Sequence, residues 1–180
     1  MSTQAPPAQP ALQSVVGEVE GHVAEAGWDQ PPQLFALVDT EELLRAEPQL
    51  ARTMGIVAAH RGQLTPVAQE SLEEGPLDEV LARVLFGEQV LGVVLAHEVV
   101  VLPPSAEAEL AGVDDPAGHA ADHAQRRDVR MVVGVLRDGQ NAAVLRLRGS
   151  GNEQDERVTG PDLAPGLAAA LLGTLEPSAG

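Results

Sequence analysis

The spacing of apolar residues predicts an amphipathic helix near the start of the chain. Its stripe follows the i, i+3, i+4, i+7 pattern and consists of Leu12, Val15, Val16, Val19, Val23 and Ala26. Gly27 ends this helix, and Trp28 is expected to act as a packing anchor beside its end. Residues 1–10, composed mostly of Pro, Gln, Ala, Ser and Thr, are expected to form a disordered tail. Residues 11–176 would then form a single domain.

Capping signals and prolines divide the next part of the chain. The apolar run 33–38 is short and bounded by turn residues, which favours a strand. Asp39 followed three residues later by Glu42 is typical of a capping box and predicts a short helix, after which Pro48 opens another turn. Residues 63–69 contain a proline and are expected to form an edge strand. The clearest helix is predicted over residues 76–86, with one face formed by Leu77, Val80, Leu81, Val84 and Leu85.

The second half of the chain is predicted to be mainly β-structure. Residues 90–102 are β-branched at successive positions, which indicates a central strand covered on both sides. Two further strands, 129–137 and 140–148, flank Asp138-Gly139, a strong signal for a hairpin with a two-residue turn. Residues 149–160 are expected to be a polar loop, followed by a closing helix over 165–175.

These elements predict an α+β fold. Late strands joined by a tight turn indicate a mainly antiparallel sheet, and we expect a two-layer sandwich with the helices packed on one face of it. The two-residue turn would place Arg146 opposite Met131 and Arg148 opposite Val129. Both arginine side chains would then share a face with Arg137.

Composition restricts the classes of function. The 180-residue chain carries a net charge of −16, which argues against binding to nucleic acid. It contains no Cys, which excludes disulfides and thiolate chemistry. Only 2% of its residues are aromatic, which disfavours sites that bind nucleic acid by stacking bases on aromatic rings. The sequence shows neither a signal peptide nor an apolar run long enough to span a membrane. We therefore expect an acidic cytoplasmic protein that does not contact a membrane and has no cofactor.

One strand pair departs from this acidic background. Arg130, Arg137, Arg146 and Arg148 lie on the predicted hairpin, and arginines grouped in this way can bind a carboxylate or phosphate. The alternative is that they pair with acidic residues of the same chain. The first interpretation predicts a site for a small anionic ligand, and the second predicts a structural role.

A second candidate site lies in the acidic connection between residues 105 and 125. His119 and His123 are four residues apart, so on a helix both imidazoles would project from one face, and Asp122 could add an oxygen ligand. A metal-dependent hydrolase is one function that this spacing would allow. The alternative is a solvated loop with no metal.

Several segments resemble an uncharacterised family of acidic actinobacterial proteins. The resemblance extends from about Trp28 to Leu175, and the segments that carry it are 64–70, 134–139, 145–148, 160–163 and 165–167. They are structural in character, namely a strand pair, a hairpin turn and a helix entry. The resemblance implies no activity and assigns no catalytic residue.

These observations favour a function without catalysis. We expect a protein-interaction or adaptor-like domain whose partner is another protein or a second copy of the chain, as in a homodimer. The two alternatives are the metal-dependent hydrolase and the binder of small anionic ligands described above.

Overall fold

The computed structural model describes residues 8–59, 61–70, 72–101, 127–149 and 153–175. The strands are β1 (Gln33–Asp39), β2 (Leu64–Ala68), β3 (Gly92–Val101), β4 (Arg127–Leu136), β5 (Asn141–Leu147) and β6 (Glu156–Gly160). The helices within these ranges are α1 (Ala8–Glu25), α2 (Thr40–Ala46), α3 (Pro48–Thr53), α4 (Leu77–Ala82) and α5 (Pro165–Gly173). None of these helices has both the length and the hydropathy that crossing a membrane requires.

The strands form one antiparallel sheet in the order β2-β1-β3-β4-β5-β6. The predicted α+β class and antiparallel sheet are confirmed. The helices, however, cover both faces of the sheet and not one, so the domain has three layers. The reason is that β1, β3, β4 and β5 carry buried apolar side chains at successive positions, and successive side chains of a strand point to opposite faces.

Helix α1 covers the first face of the sheet. Its apolar stripe packs on side chains of alternate strand positions, namely Phe35, Leu37, Val94, Ala96, Val132, Ala142 and Val144. Close contact is possible because Gly134 of β4 lies directly beneath the helix. A Cβ atom at this glycine would lie 2.6 Å from Cγ2 of Val16 and 3.1 Å from Cδ1 of Leu12.

Helices α4 and α5 cover the inner part of the second face. Leu81, Ala168, Leu171 and Leu175 pack there on Val93, Leu95, Val133, Val135 and Ala143. Helix α2 lies beside β1, and its first residue, Thr40, shares a buried hydroxyl–hydroxyl hydrogen bond of 2.7 Å with Thr65 of β2. The predicted N-cap is confirmed, since Asp39 Oδ1 accepts a 3.0 Å hydrogen bond from the Glu42 amide.

The hairpin between β4 and β5 has a three-residue loop where two residues were predicted. Leu136 N donates to Gln140 O at 2.9 Å, and Gly139 adopts a φ of 93°, which is typical of a type I turn closed by a left-handed glycine. The extra loop residue shifts the register by one position. Arg146 therefore lies opposite Arg130 and not opposite Met131, and Leu147 takes the place of Arg148 opposite Val129.

Three element boundaries also differ from the sequence expectation. Helix α1 begins at Ala8, so residues 8–10 of the predicted tail are helical. Helix α4 stops at Ala82, because the chain turns away to let Phe86 N donate to Thr174 O at 2.9 Å. The predicted polar loop contains β6, which pairs with β5 although its side chains are largely exposed.

The close approach of α1 to β4 predicts the effect of filling Gly134. Gly134→Ala should lower the free energy of unfolding by about 1–3 kcal/mol, because the added methyl group overlaps Val16 and Leu12. Urea unfolding measures this change. Gly21→Ala, on the exposed side of the same helix with no atom within 4 Å of the new methyl group, is the control and should raise stability by up to about 1 kcal/mol. Equal stability of the two variants would contradict this packing.

Candidate functional site

Arg130 lies inside the protein and not on an open surface. Its side chain is only 1% exposed. Its Nη2 atom donates to the carbonyl of Gly27 and, at 3.2 Å, to Glu98 Oε2, while its guanidinium lies 4.6 Å from the centre of the Trp28 ring. Glu98 also accepts hydrogen bonds from the amides of Asp29 and Gln30, so one carboxylate holds both Arg130 and the turn after α1.

Arg146 is held by a fully buried carboxylate. Glu20 of α1 has 0% exposure and accepts hydrogen bonds from Arg146, while Arg157 of β6 lies 3.2 Å from the same carboxylate. Asp155 lies 3.7 Å from Arg146 and accepts a 3.3 Å hydrogen bond from Trp28 Nε1. The hydrogen bond with Glu20 raises the pKa of Arg146 above its usual value.

Arg148 completes this group at the protein surface. It lies 3.2 Å from Asp128 and 3.8 Å from Asp29, and its guanidinium is 5.5 Å from the centre of the Trp28 ring. We call this assembly the Trp28 network. Its members are Trp28, Arg130, Arg146, Arg148, Arg157, Glu20, Glu98 and Asp155. Each hairpin arginine of the network has an acidic partner from the same chain, so an external anion would have to displace that partner.

Arg137 does not belong to the Trp28 network, contrary to the expectation that it shares a face with Arg146 and Arg148. It lies in the hairpin loop at the other end of β4 and donates to main-chain carbonyls of two segments. Its acceptors are Val90 O at 2.7 Å, Gly87 O at 2.6 Å, Phe86 O at 3.4 Å and Leu175 O. Arg137 therefore ties the end of α5 to the segment that leads into β3.

The histidines divide between the described and the undescribed parts of the chain. His119, Asp122 and His123, the predicted metal ligands, lie outside the described residues. His97 of β3 is half-buried, and burial lowers its pKa despite the nearby charge of Glu98. Its Nδ1 atom is buried without a hydrogen-bond partner. Within the described ranges, no group of three or more His, Asp or Glu side chains is placed to hold a metal ion.

The second face of the sheet carries an open apolar groove over β1 and β2. The helix pair α2–α3 borders it on one side and residues 85–90 on the other. One part of the groove has a volume of about 450 Å³, and its floor is formed by Ala36, Val38 and Val67. A second part of about 430 Å³ adjoins it, since Gln69 and Phe86 line both. We call these two parts together the β1–β2 groove.

Large apolar side chains remain exposed at the border of the β1–β2 groove. Leu50 of α3 is 42% exposed and Leu85 is 57% exposed, and both line it. Leu85 had been predicted to pack on a continuous α4, but it lies beyond the helix end. Apolar surface concentrated around a concavity is typical of a binding site and not of a freely solvated surface.

The border of the β1–β2 groove is acidic. Its charged lining residues are Asp39, Glu42, Glu47, Glu70, Glu73 and Arg83. Arg83 lies 3.0 Å from Glu73, and Arg45 next to the groove hydrogen-bonds to Glu42 and lowers its pKa. The groove therefore presents apolar side chains surrounded by carboxylates.

A comparison with protein-family models identifies the family of the chain. Residues 12–176, from the first turns of α1 to just beyond α5, match the model of the PPA1309-like protein. The chain belongs to the PPA1309-like protein family. This membership confirms the resemblance to an uncharacterised family that the hairpin and helix-entry segments suggested. No curated protein and no solved structure matches the chain.

The part of the chain that matches the PPA1309-like family contains both the Trp28 network and the β1–β2 groove. The sequence indicated the arginines of the network because they cluster along one hairpin. It did not indicate Glu20, which lies 126 positions from its partner Arg146 and has the spacing of an ordinary helical glutamate. The sequence did not indicate the groove, because Leu85 was expected on the apolar face of a helix over residues 76–86 and lies instead beyond the end of α4 at Ala82.

The buried position of Glu20 predicts a large cost for its removal. Glu20→Gln should lower the free energy of unfolding by about 3 kcal/mol, because Arg146 and Arg157 lose the carboxylate that compensates their charge. Chemical unfolding measures the loss. Glu73→Gln removes an exposed pair with Arg83 and is the control, with an expected change below about 1 kcal/mol. Similar losses in the two variants would refute the special role of Glu20.

The lowered pKa of Asp155 predicts that the stability of the protein depends on pH. The pKa of the Asp155 carboxyl lies below the usual value for aspartate, first because the Gly149 amide donates to it and then because of Trp28 and the nearby arginines. A carboxyl whose pKa is lower in the folded state contributes stability above the unfolded pKa, and this contribution is lost as pH falls through the folded pKa. The stability difference between the wild type and Asp155→Asn should therefore narrow from about pH 5 to about pH 2. A constant difference over this range, measured by urea unfolding, would contradict the assignment.

Proposed function

We propose that this chain is a non-catalytic protein-interaction module and that the β1–β2 groove is its binding surface. The observation that carries the proposal is the exposure of Leu50 and Leu85 beside a groove whose floor is apolar. Burial of such side chains by a partner would be favourable in proportion to the apolar area removed from water. The groove offers shape and apolar area, which are the properties that protein interfaces use at their centres.

The Trp28 network supports the same assignment from the other face. Its arginines bind Glu20, Glu98, Asp128 and Asp155. The contacts of Arg146 and Arg157 with Glu20 join α1 to the sheet strands that include β6. We assign this network a structural role, in which it makes the first face rigid. The second face, with its uncovered groove, is then the surface through which the domain acts.

Site-specific photo-crosslinking in the organism's own cells tests this proposal. A benzoylphenylalanine residue at Leu85 should form an adduct with one defined protein. The same residue at Val158, an apolar β6 position of comparable exposure (44%) away from the groove, is the matched control and should not form that adduct. An additional Leu50→Glu substitution should abolish the adduct at Leu85, because it places a charge in the interface core. An identical set of adducts at the two positions, or none at Leu85, would contradict the proposal.

A further inference from the structure

The β1–β2 groove lies where a further helix would complete the layer on the second face of the sheet. Helix α5 contacts β3 and β4. Helix α2 contacts β1, the strand that directly precedes it in the chain. Between them the groove runs along the outer strands, with Ala36 and Val67 as paired positions on its floor. An amphipathic helix lying in such a groove would place its apolar side chains at i, i+3, i+4 and i+7 against this floor.

The free edge of β2 disfavours the alternative of an added strand. Gln69 N donates to Leu34 O and Thr40 N donates to Gln63 O, so the main-chain groups of odd-numbered β2 residues face β1. The even-numbered residues therefore turn their main-chain groups outward, and the middle one of these is Pro66. Proline has no N–H group, so the outward edge lacks its central donor and is poorly suited to pairing with another strand.

The charge around the groove specifies the charge of its occupant. Residues 39–91, which contain α2, α3, α4 and the groove border, carry ten Asp and Glu against four Arg, a net charge of −6. The exposed Glu47 and Glu70 both line the groove. Complementary charge accelerates association and selects among partners. A second copy of the chain is disfavoured as the occupant, because it carries the same net charge of −16.

From these observations we propose that the β1–β2 groove binds a cationic amphipathic helix of a partner protein. The partner's apolar side chains contact Val67, Leu50 and Leu85, while its Lys and Arg side chains face the carboxylates of the border. This proposal rests on the assignment of the groove as the interaction surface and adds the chemical class of the partner.

Designed peptides test the class of partner directly on the full chain. The main probe is a helical peptide of about 18 residues with Leu on one face and Lys and Arg on the other. Three comparison peptides are a scrambled version with the same composition, a version with Glu in place of Lys and Arg, and an extended version in which Leu and Lys alternate. Fluorescence anisotropy should show that the main probe binds at least about tenfold more tightly than each comparison peptide.

Two variants separate binding in the groove from general attraction to an acidic protein. Leu85→Glu removes an apolar contact and adds a negative charge, so groove binding should weaken about tenfold, whereas non-specific attraction would increase. Glu47→Arg should weaken binding by about fivefold or more. Glu18→Arg, on the exposed side of α1, changes the net charge equally and is the matched control, with an effect below about twofold. Thermal unfolding checks that each variant remains folded.

Each alternative result overturns the proposed partner class. Equal binding of the scrambled peptide, or equal effects of Glu47→Arg and Glu18→Arg, would show attraction to charge alone. Tighter binding of the extended or the acidic peptide would assign a different partner. Crosslinks from position 85 to a second copy of the chain would identify self-association. In these last two cases the groove would remain an interaction surface, whereas the absence of both peptide binding and crosslinks would remove the proposed function as well.

Discussion

Apolar side chains on both faces of β3 and β4 determine the layered architecture of this protein. A strand with buried residues at successive positions requires a layer on each side, and here the core is almost entirely Val, Leu and Ala. One long helix, α1, covers the first face. The second face is covered by short helices that reach only part of the sheet, and the β1–β2 groove is the part they leave uncovered.

The distribution of charge follows from how the first face is closed. Six of the eleven arginines lie between residues 127 and 157, and five of them contact acidic residues of α1, β3, β4 or the segment 155–156. Arg130 and Arg146 lie directly opposite each other, an arrangement of like charges that would destabilise the sheet without Glu98 and Glu20. Because the cations serve this internal role, the surface around the groove is left acidic.

Most of the fold could be predicted from local patterns in the sequence. The stripe of α1, the cap at Asp39, the edge position of the strand that contains Pro66 and the hairpin at Asp138-Gly139 all depend on interactions between near neighbours. The features that escaped prediction depend on distant residues. The register of a hairpin is set by its turn together with the burial pattern of its strands. The one additional loop residue places Arg146 opposite Arg130 and not opposite Met131.

The candidate site was less predictable than the fold for the same reason. The sequence indicated a cluster of arginines but not their partners, since Glu20 and Glu98 come from elements far away along the chain. Strand β6 was not predicted because its residues are polar. Its position is stabilised by ion pairs with distant residues, namely Arg157 with Glu20 and Glu156 with Arg127. The groove exists because hydrogen bonds from Arg137 and Phe86 draw the chain away from α4, and no local pattern indicates a long-range contact of this kind.

Solvent accessibility of individual methyl groups tests most directly whether the β1–β2 groove is open in the free protein. Methyl NMR spectra of the full chain with a soluble paramagnetic agent report this accessibility side chain by side chain. Leu50 and Leu85 should broaden strongly, while Leu12, Leu37 and Leu95 in the two cores should be protected. Protection of Leu50 and Leu85 equal to that of the core residues would show that the groove is already covered, and the groove could not then be the proposed binding surface.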